Sequence, residues 1–462
     1  MTSHELTNIK GAIVSPDSIE AFKDGFRGEV IRPNDAAYET ARKIWNASIE
    51  RHPGIIARPT GVADVITAVN FARENNLLVA VRGGGHNVGG RALCDGGIVI
   101  DFSRMKGIHV DAKNRRARVQ AGATLGDVDR ETHIFGLAVP TGVVSKTGIA
   151  GLTLGGGVGW LVRKHGLTCD NVVSFEVVSA DGKSMAANAT ENADLFWALR
   201  GGGGNFGVVT SFEYRAHPVG TVLGGMVVHP RDRAADVLRF YRDFTESAPE
   251  ELTTYAALLN TPDGAPAVAL MVCYCGDLAN GEKVLKPLRA FGSPLLDAIQ
   301  PMPFPQMQSL LDEAFPNGNQ NYWKSTFLRE FSDEAINILV AYANQATSPL
   351  TAVVIEYYGG VASRVGVSDT AFAHREAQYD IGILTQWVDA GESKRHIEWT
   401  RQLADALHPF SSGAYLLNFL GEDEESAIKA AFGPNYDRLR VVKKKYDPTN
   451  FFRVNQNIEP AV

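Results

Sequence analysis

The sequence predicts an α+β chain built from more than one module, and three observations carry that prediction. The chain has 462 residues, more than one ordinary core fills. Segments with apolar residues at helical spacing alternate with short apolar runs of strand type. Its 46 glycines fall in clusters, and the clusters become rare after about Tyr214. This texture divides the chain into a first module over residues 1–215, a middle module over 216–404, and a tail over 405–462 that returns to the first.

From Thr60 to Asn76, Val62, Val65, Ile66 and Val69 recur on one helical face, with a cap near Thr60 and a stop at Asn75-Asn76. LLVAVR then reads as a buried strand running into a glycine loop. GGIVIDFS, ARVQAGA and VVSFEVVSADGK are further strands, and DLFWALRGG is a short helix closed by glycine. In the middle module, residues 231–247, 281–291 and 393–407 read as helices. YAALLN and AVALMVCYCG read as a hairpin across TPDGAP, and AVVIEYYGG as another strand. The last fifty residues read as loop-rich.

Composition narrows the function. Net charge is −7 with no basic stripe, which argues against nucleic acid as a partner. No stretch has the length and apolarity of a signal peptide or a membrane span, so the expectation is a cytoplasmic protein with no membrane partner. Four cysteines make no disulfide framework, and the C-x-C at Cys273 and Cys275 has no second pair nearby in sequence. No metal site is expected.

The stretch VRGGGHNVGG sets three glycines before His86 and two after Asn87-Val88. Further clusters lie at Gly155–Gly157 and Gly201–Gly204. GGGGNFG contains G-x-G-x-x-G, but a helix precedes it and a strand follows, the reverse of the dinucleotide-binding fingerprint. One such cluster reads as a plain turn. Three of them, with a histidine in the first, suggest backbone N–H groups lining an extended anionic ligand such as a pyrophosphate.

VRGGGHNVGG, IVIDFSRM, VQAGATLGDV, PTGVVSKTGIAGLTLGGGVG, LTCDNVVSFEVVSADG, DLFWALRGGGGNFGVVTSFEY and KYDPTNFFRVNQNI follow in order. Together they resemble the berberine-bridge-enzyme-like group of the vanillyl-alcohol-oxidase and p-cresol-methylhydroxylase flavoproteins, from about Pro59 to Pro460. The resemblance implies a two-lobed FAD-binding domain plus a substrate domain with an antiparallel sheet flanked by helices. It implies FAD as cofactor, covalently held by His86, whose imidazole is a competent nucleophile when neutral. The implied cofactor contacts are Arg82, Gly83, Gly84, Gly85, His86, Asn87, Gly142, Val144, Thr147, Gly148, Gly151, Val208, Asn455 and Asn457.

The chain departs from the family pattern in two places. Where many members carry a second, cysteinyl flavin bond, Val144 stands, so attachment through His86 only is expected. Where plant members carry a base on the strand after an H-R pair (here His374-Arg375), Gly382 stands. Thr147 lies at a position that the resemblance associates with oxygen access; the alternative is a loop threonine bonded to its own backbone.

Glu356 is an acid in an apolar strand, sharing a face with Val354 and Tyr358. It sits either at a sheet edge or in a site. Tyr415 and Asn418 belong to the returning tail, as proton acceptor and substrate-orienting group, or else as buried structural residues. Trp387, Tyr357 and Tyr322 are wall candidates that core packing explains equally well. The catalytic set is thus Glu356, Tyr415, Asn418 and Thr147. The implied reaction is oxidation of a C–H bond next to O or N of a small organic substrate (alcohol, sugar, amine or polyketide-like), with molecular oxygen as the second partner. The alternatives are a flavin dehydrogenase using another acceptor, and a flavin-binding protein without turnover. Substrate identity and oligomeric state stay open.

Overall fold

The computed structural model describes residues 5–376, 379–421 and 425–462. Before residue 216 it forms two sheets. The first runs Glu29–Ile31, Ile55–Arg58, Ile98–Asp101, Val79–Arg82, with its last three strands parallel. Parallel strands need crossover connections, and the Val62–Glu74 helix carries the chain from Ile55–Arg58 past Ile98–Asp101 to Val79–Arg82, burying Val65, Ala68, Val69 and Ala72. Its N-cap is Gly61. Thr60 acts one step back, its N–H and hydroxyl both donating to Asp64. The second sheet is antiparallel, in the order Ile108–Asp111, Arg116–Gln120, Val208–Arg215, Val172–Val178, Ser184–Asn188.

Residues 221–387 build the third sheet, antiparallel, with eight strands among the described residues. Its central order is Thr221–Pro230, Pro266–Tyr274, Leu252–Asn260, Ala352–Tyr357, Tyr379–Trp387, Gln320–Leu328. The expected hairpin is present, with Asn260 opposite Pro266. Helices Ala234–Glu246, Leu278–Ala290, Asp333–Ala343 and Ser393–Leu407 cover one face. Val237, Leu285, Ile336 and Leu403 pack there on Ala256, Leu258, Val353, Ile355 and Ile381. Strand alternation turns Tyr255, Ala257, Val354 and Glu356 to the opposite face, and these line a cavity.

The tail is more ordered than its sequence suggests. Helices Glu425–Phe432 and Tyr436–Tyr446 lie within the stretch read as loop-rich. The second carries Lys443, whose ammonium is buried and donates to Asp447 Oδ2 (2.7 Å), Asn205 O (2.8 Å) and Phe452 O (2.8 Å). Asn205 in turn donates to the Gln456 carbonyl and accepts from the Ile458 N–H. A buried charge is tolerated only when fully bonded, and this network locks the tail onto the Gly201–Gly204 loop. No described helix is long and apolar enough to cross a membrane.

Candidate active site

One large cavity, about 2110 Å³ including its open mouth, runs between the glycine loops of the first module and the uncovered face of the third sheet. On the first wall, two loops meet backbone to backbone. A Cβ on Gly84 would lie 2.4 Å from Gly148 N, and one on Gly148 would lie 2.2 Å from Gly84 N. Only glycine permits that approach. Gly151 and Gly204 have open space where a Cβ would stand, so a ligand can reach their backbone. The second cluster divides its work: Gly155 lines the cavity, while Gly156 and Gly157 accommodate Phe372 and Thr168.

His86 follows the strand Val79–Arg82 and lines this wall. Its ring stacks on Trp45 with centroids 4.2 Å apart and planes 14° apart. Trp45 is itself held by Nε1–H donating to Phe315 O (3.1 Å). Burial lowers the imidazole to about 4, so it is neutral at physiological pH. Its Nε2 is buried without a hydrogen-bond partner. The ring is thus held in plane, uncharged, with a nitrogen available.

The opposite wall is mostly carbon, from Ala257, Leu259, Met271, Val354, Leu384 and Trp323. Glu356 is the one carboxyl among the described lining residues. It accepts a 2.8 Å hydrogen bond from the Tyr358 hydroxyl, and burial raises it to about 7. Asp380 stands across from it in register, buried, 3.5 Å from the same hydroxyl, and is raised well above the usual carboxylate range by burial and by the Glu356 charge. Asn418 also lines the cavity, against the Gly151–Gly155 segment. Its amide donates to the Gly151 and Leu152 carbonyls at 3.4 Å, and its Oδ1 is buried without a partner.

Gly83, Gly84, Gly85, Asn87, Gly142, Val144, Thr147, Gly148, Gly151 and Asn455 all line the cavity with His86. Four of the expected site residues do not. Arg82 donates to Ala41 O (2.7 Å) and Asp101 Oδ2 (2.6 Å), because on its strand Val79 and Val81 take the cavity side. Val208 is buried in the first-module core for the same reason, with Gly207 and Val209 on the cavity. Tyr415 packs against that core, while residues 416–419 turn inward through the short helix Leu417–Phe419. At the tail end Asn455 and Gln456 line the cavity and Asn457 does not.

Of the wall candidates, Tyr357 and Trp387 are buried beneath the covering helices, and Tyr322 lies under the Arg401 guanidinium. The aromatic wall is instead Tyr255, Phe315, Trp323 and Phe419. Tyr322 and Trp323 differ by one position, which on a strand is the difference between faces. Asp380 is the acid that the sequence reading missed. It lies two residues before Gly382 on the same face, so period-two spacing was the signal available.

The residues fit FAD on the structure's own terms. A wall of exposed glycine backbone suits a phosphate-bearing chain. The unpartnered Asn418 Oδ1 and Asn455 Oδ1 suit a ligand with N–H or O–H groups. Among the described residues no group of three or more metal-ligating side chains occurs.

Comparison with known proteins agrees. The chain matches the FAD binding domain family over residues 53–188 and the "berberine and berberine like" family over residues 414–459. It is 35% identical over 448 residues to an FAD-linked oxidoreductase of Dictyostelium discoideum, covering 96% of this chain and 97% of the relative. The solved structure of 6-hydroxy-D-nicotine oxidase from Arthrobacter nicotinovorans is similar with a TM-score of 0.87 and 32% identity, covering 94% of this chain and 98% of the other. A berberine-bridge-like protein of Physcomitrella patens is similar with a TM-score of 0.89 and 25% identity, covering 96% and 99%.

Proposed function

The chain belongs to the berberine-bridge-like FAD-linked oxidoreductases, and from that premise we propose an oxidase that removes hydride from a C–H bond next to O or N of a small organic substrate. The observation that carries the reading is the cavity itself: a neutral histidine with an unpartnered nitrogen on one wall, and a buried carboxyl with raised pKa on the other. FAD held along the glycine loops and His86 would supply the electron sink for that hydride, with oxygen as the final acceptor and hydrogen peroxide as the product.

The protein's residues do the rest. His86 carries the cofactor covalently, and Val144 leaves no thiol for a second bond. Glu356 takes the O–H or N–H proton, because a carboxyl held near neutrality is both present as the anion and basic enough to accept it. Asn418 orients the substrate through its unpartnered Oδ1. Thr147, beside Val144 on the cavity, controls the approach of oxygen. The sheet face excludes water.

The test begins with the purified protein on a denaturing gel. Flavin fluorescence should travel with the band, and a peptide map should place one flavin on the peptide containing His86. His86→Ala should release all flavin on denaturation while retaining FAD noncovalently before it. Free flavin from the parent protein would overturn covalent attachment. Anaerobic reduction followed by mixing with air then separates hydride removal from oxygen use; reoxidation that needs a quinone would replace the oxidase by a dehydrogenase.

A further inference from the structure

The third sheet narrows the substrate beyond the class just proposed. Its cavity face is mostly carbon, and its polar atoms are the carboxyl of Glu356, the hydroxyl of Tyr255, the indole N–H of Trp323 and the thioether of Met271. A polyol laid on it would lose water at many hydroxyls and regain few hydrogen bonds. A single cationic group has an obvious place. Glu356 and Asp380 face each other across neighbouring strands, and neither has an ion-pair partner among the described residues.

Two carboxyls sharing one dry site do not both ionise. The Tyr358 hydroxyl is closer to Glu356, at 2.8 Å, than to Asp380, at 3.5 Å. Its donation therefore assigns the negative charge to Glu356 and the remaining proton to Asp380, which lies behind it with Oδ1 unpartnered. The other titratable groups near the pair are Tyr255 on the adjacent strand and Tyr241, which reaches the Thr254 and Ile355 carbonyls from the covering helix on the far face; burial keeps both protonated. Arg163 turns its charge to the Tyr358 carbonyl and the Tyr357 ring. The cavity thus ends in one uncompensated negative charge within apolar walls.

We propose that this pair receives the ammonium group of an apolar amine, selecting amines over sugars and alcohols, an inference that rests on the oxidase reading above. Glu356 then accepts one ammonium proton: the N–H bond breaks, an O–H bond forms on the carboxylate, and nitrogen keeps the electron pair. The two opposite charges cancel, leaving a neutral amine whose lone pair can assist loss of the neighbouring hydride. Asp380 is a positioning residue, since it holds the pair to a single charge.

The experiment is calorimetric titration of the FAD-loaded protein with benzyltrimethylammonium, N-methylbenzylamine, benzyl alcohol and glucose. The two cations should bind at least 10-fold tighter than the neutral probes. Glu356→Gln should remove that preference, and Glu356→Asp should restore part of it. N-methylbenzylamine should also reduce the flavin anaerobically faster than benzyl alcohol or glucose does. Cations that bind no tighter than benzyl alcohol, or a preference unchanged in Glu356→Gln, would overturn the proposal. Reduction by glucose but not by the amine would overturn it too while leaving the oxidase reading standing. That reading fails separately, by a purified chain that carries no FAD.

Discussion

On one wall of the cavity, Gly84 and Gly148 bring two backbones so close that a Cβ on either would clash with the other's amide. On the facing wall, the strands around Glu356 keep an ordinary sheet spacing, and only their side chains distinguish them. The first wall is defined by atoms that are missing, the second by atoms that are present. A backbone-built wall tolerates almost no substitution at its contact points. A side-chain-built wall can change chemistry one residue at a time on a constant frame, so it is the natural seat of substrate choice.

Four substitutions test that contrast, from the largest expected effect downward. Glu356→Gln should slow anaerobic flavin reduction by roughly 10²–10⁴, read by rapid mixing, with flavin content unchanged. The parent rate should rise with pH and level off above about 7, because burial raises this carboxyl and only the anion accepts a proton. A parent profile that is flat from pH 5 to 9 would remove Glu356 from the proton transfer.

Trp323→Ala takes away a buried ring that lines the cavity and meets Trp45, Phe315 and Phe419 edge-on. It should cost about 4 kcal/mol in denaturant unfolding. Gly148→Ala forces a methyl onto the Gly84 amide. It should cost about 2 kcal/mol as overpacking and, unlike the sheet substitutions, lower the FAD content of the purified protein. Full FAD content in Gly148→Ala would show that the loop contact can relax. Tyr322→Ala, one position from Trp323 but on the other face, should cost only about 0.5 kcal/mol. Equal losses at Tyr322 and Trp323 would contradict their placement on opposite faces of the sheet.

The glycine wall was largely legible in advance because its signal is local. VRGGGHNVGG and GVVSKTGIAG are contiguous, and ten of the expected cofactor contacts besides His86 line the cavity. The errors there follow strand parity: Arg82 and Val208 sit one position from residues that do face inward. The sheet wall was legible only at Glu356, whose charge stands out in an apolar run. Asp380 escaped notice because an acid beside a tyrosine is unremarkable until its strand is paired with another. Tyr415 failed for a different reason. An irregular tail has no period from which to read a facing, and the turn at Leu417–Phe419 directs its neighbours inward instead.

By itself, then, the sequence determined the α+β class, the hairpin of the middle module, the family and the histidine beside the glycine loop. Each of these is written in local spacing or in residue types whose backbone freedom is exceptional. Only the tertiary structure decided which side chains meet across chain-distant elements. Gly84 against Gly148, Trp45 on His86, Lys443 bonded to Asn205, and Glu356 opposite Asp380 all depend on register and packing. A one-residue shift in a strand reverses every facing along it, and the composition of the segment stays the same.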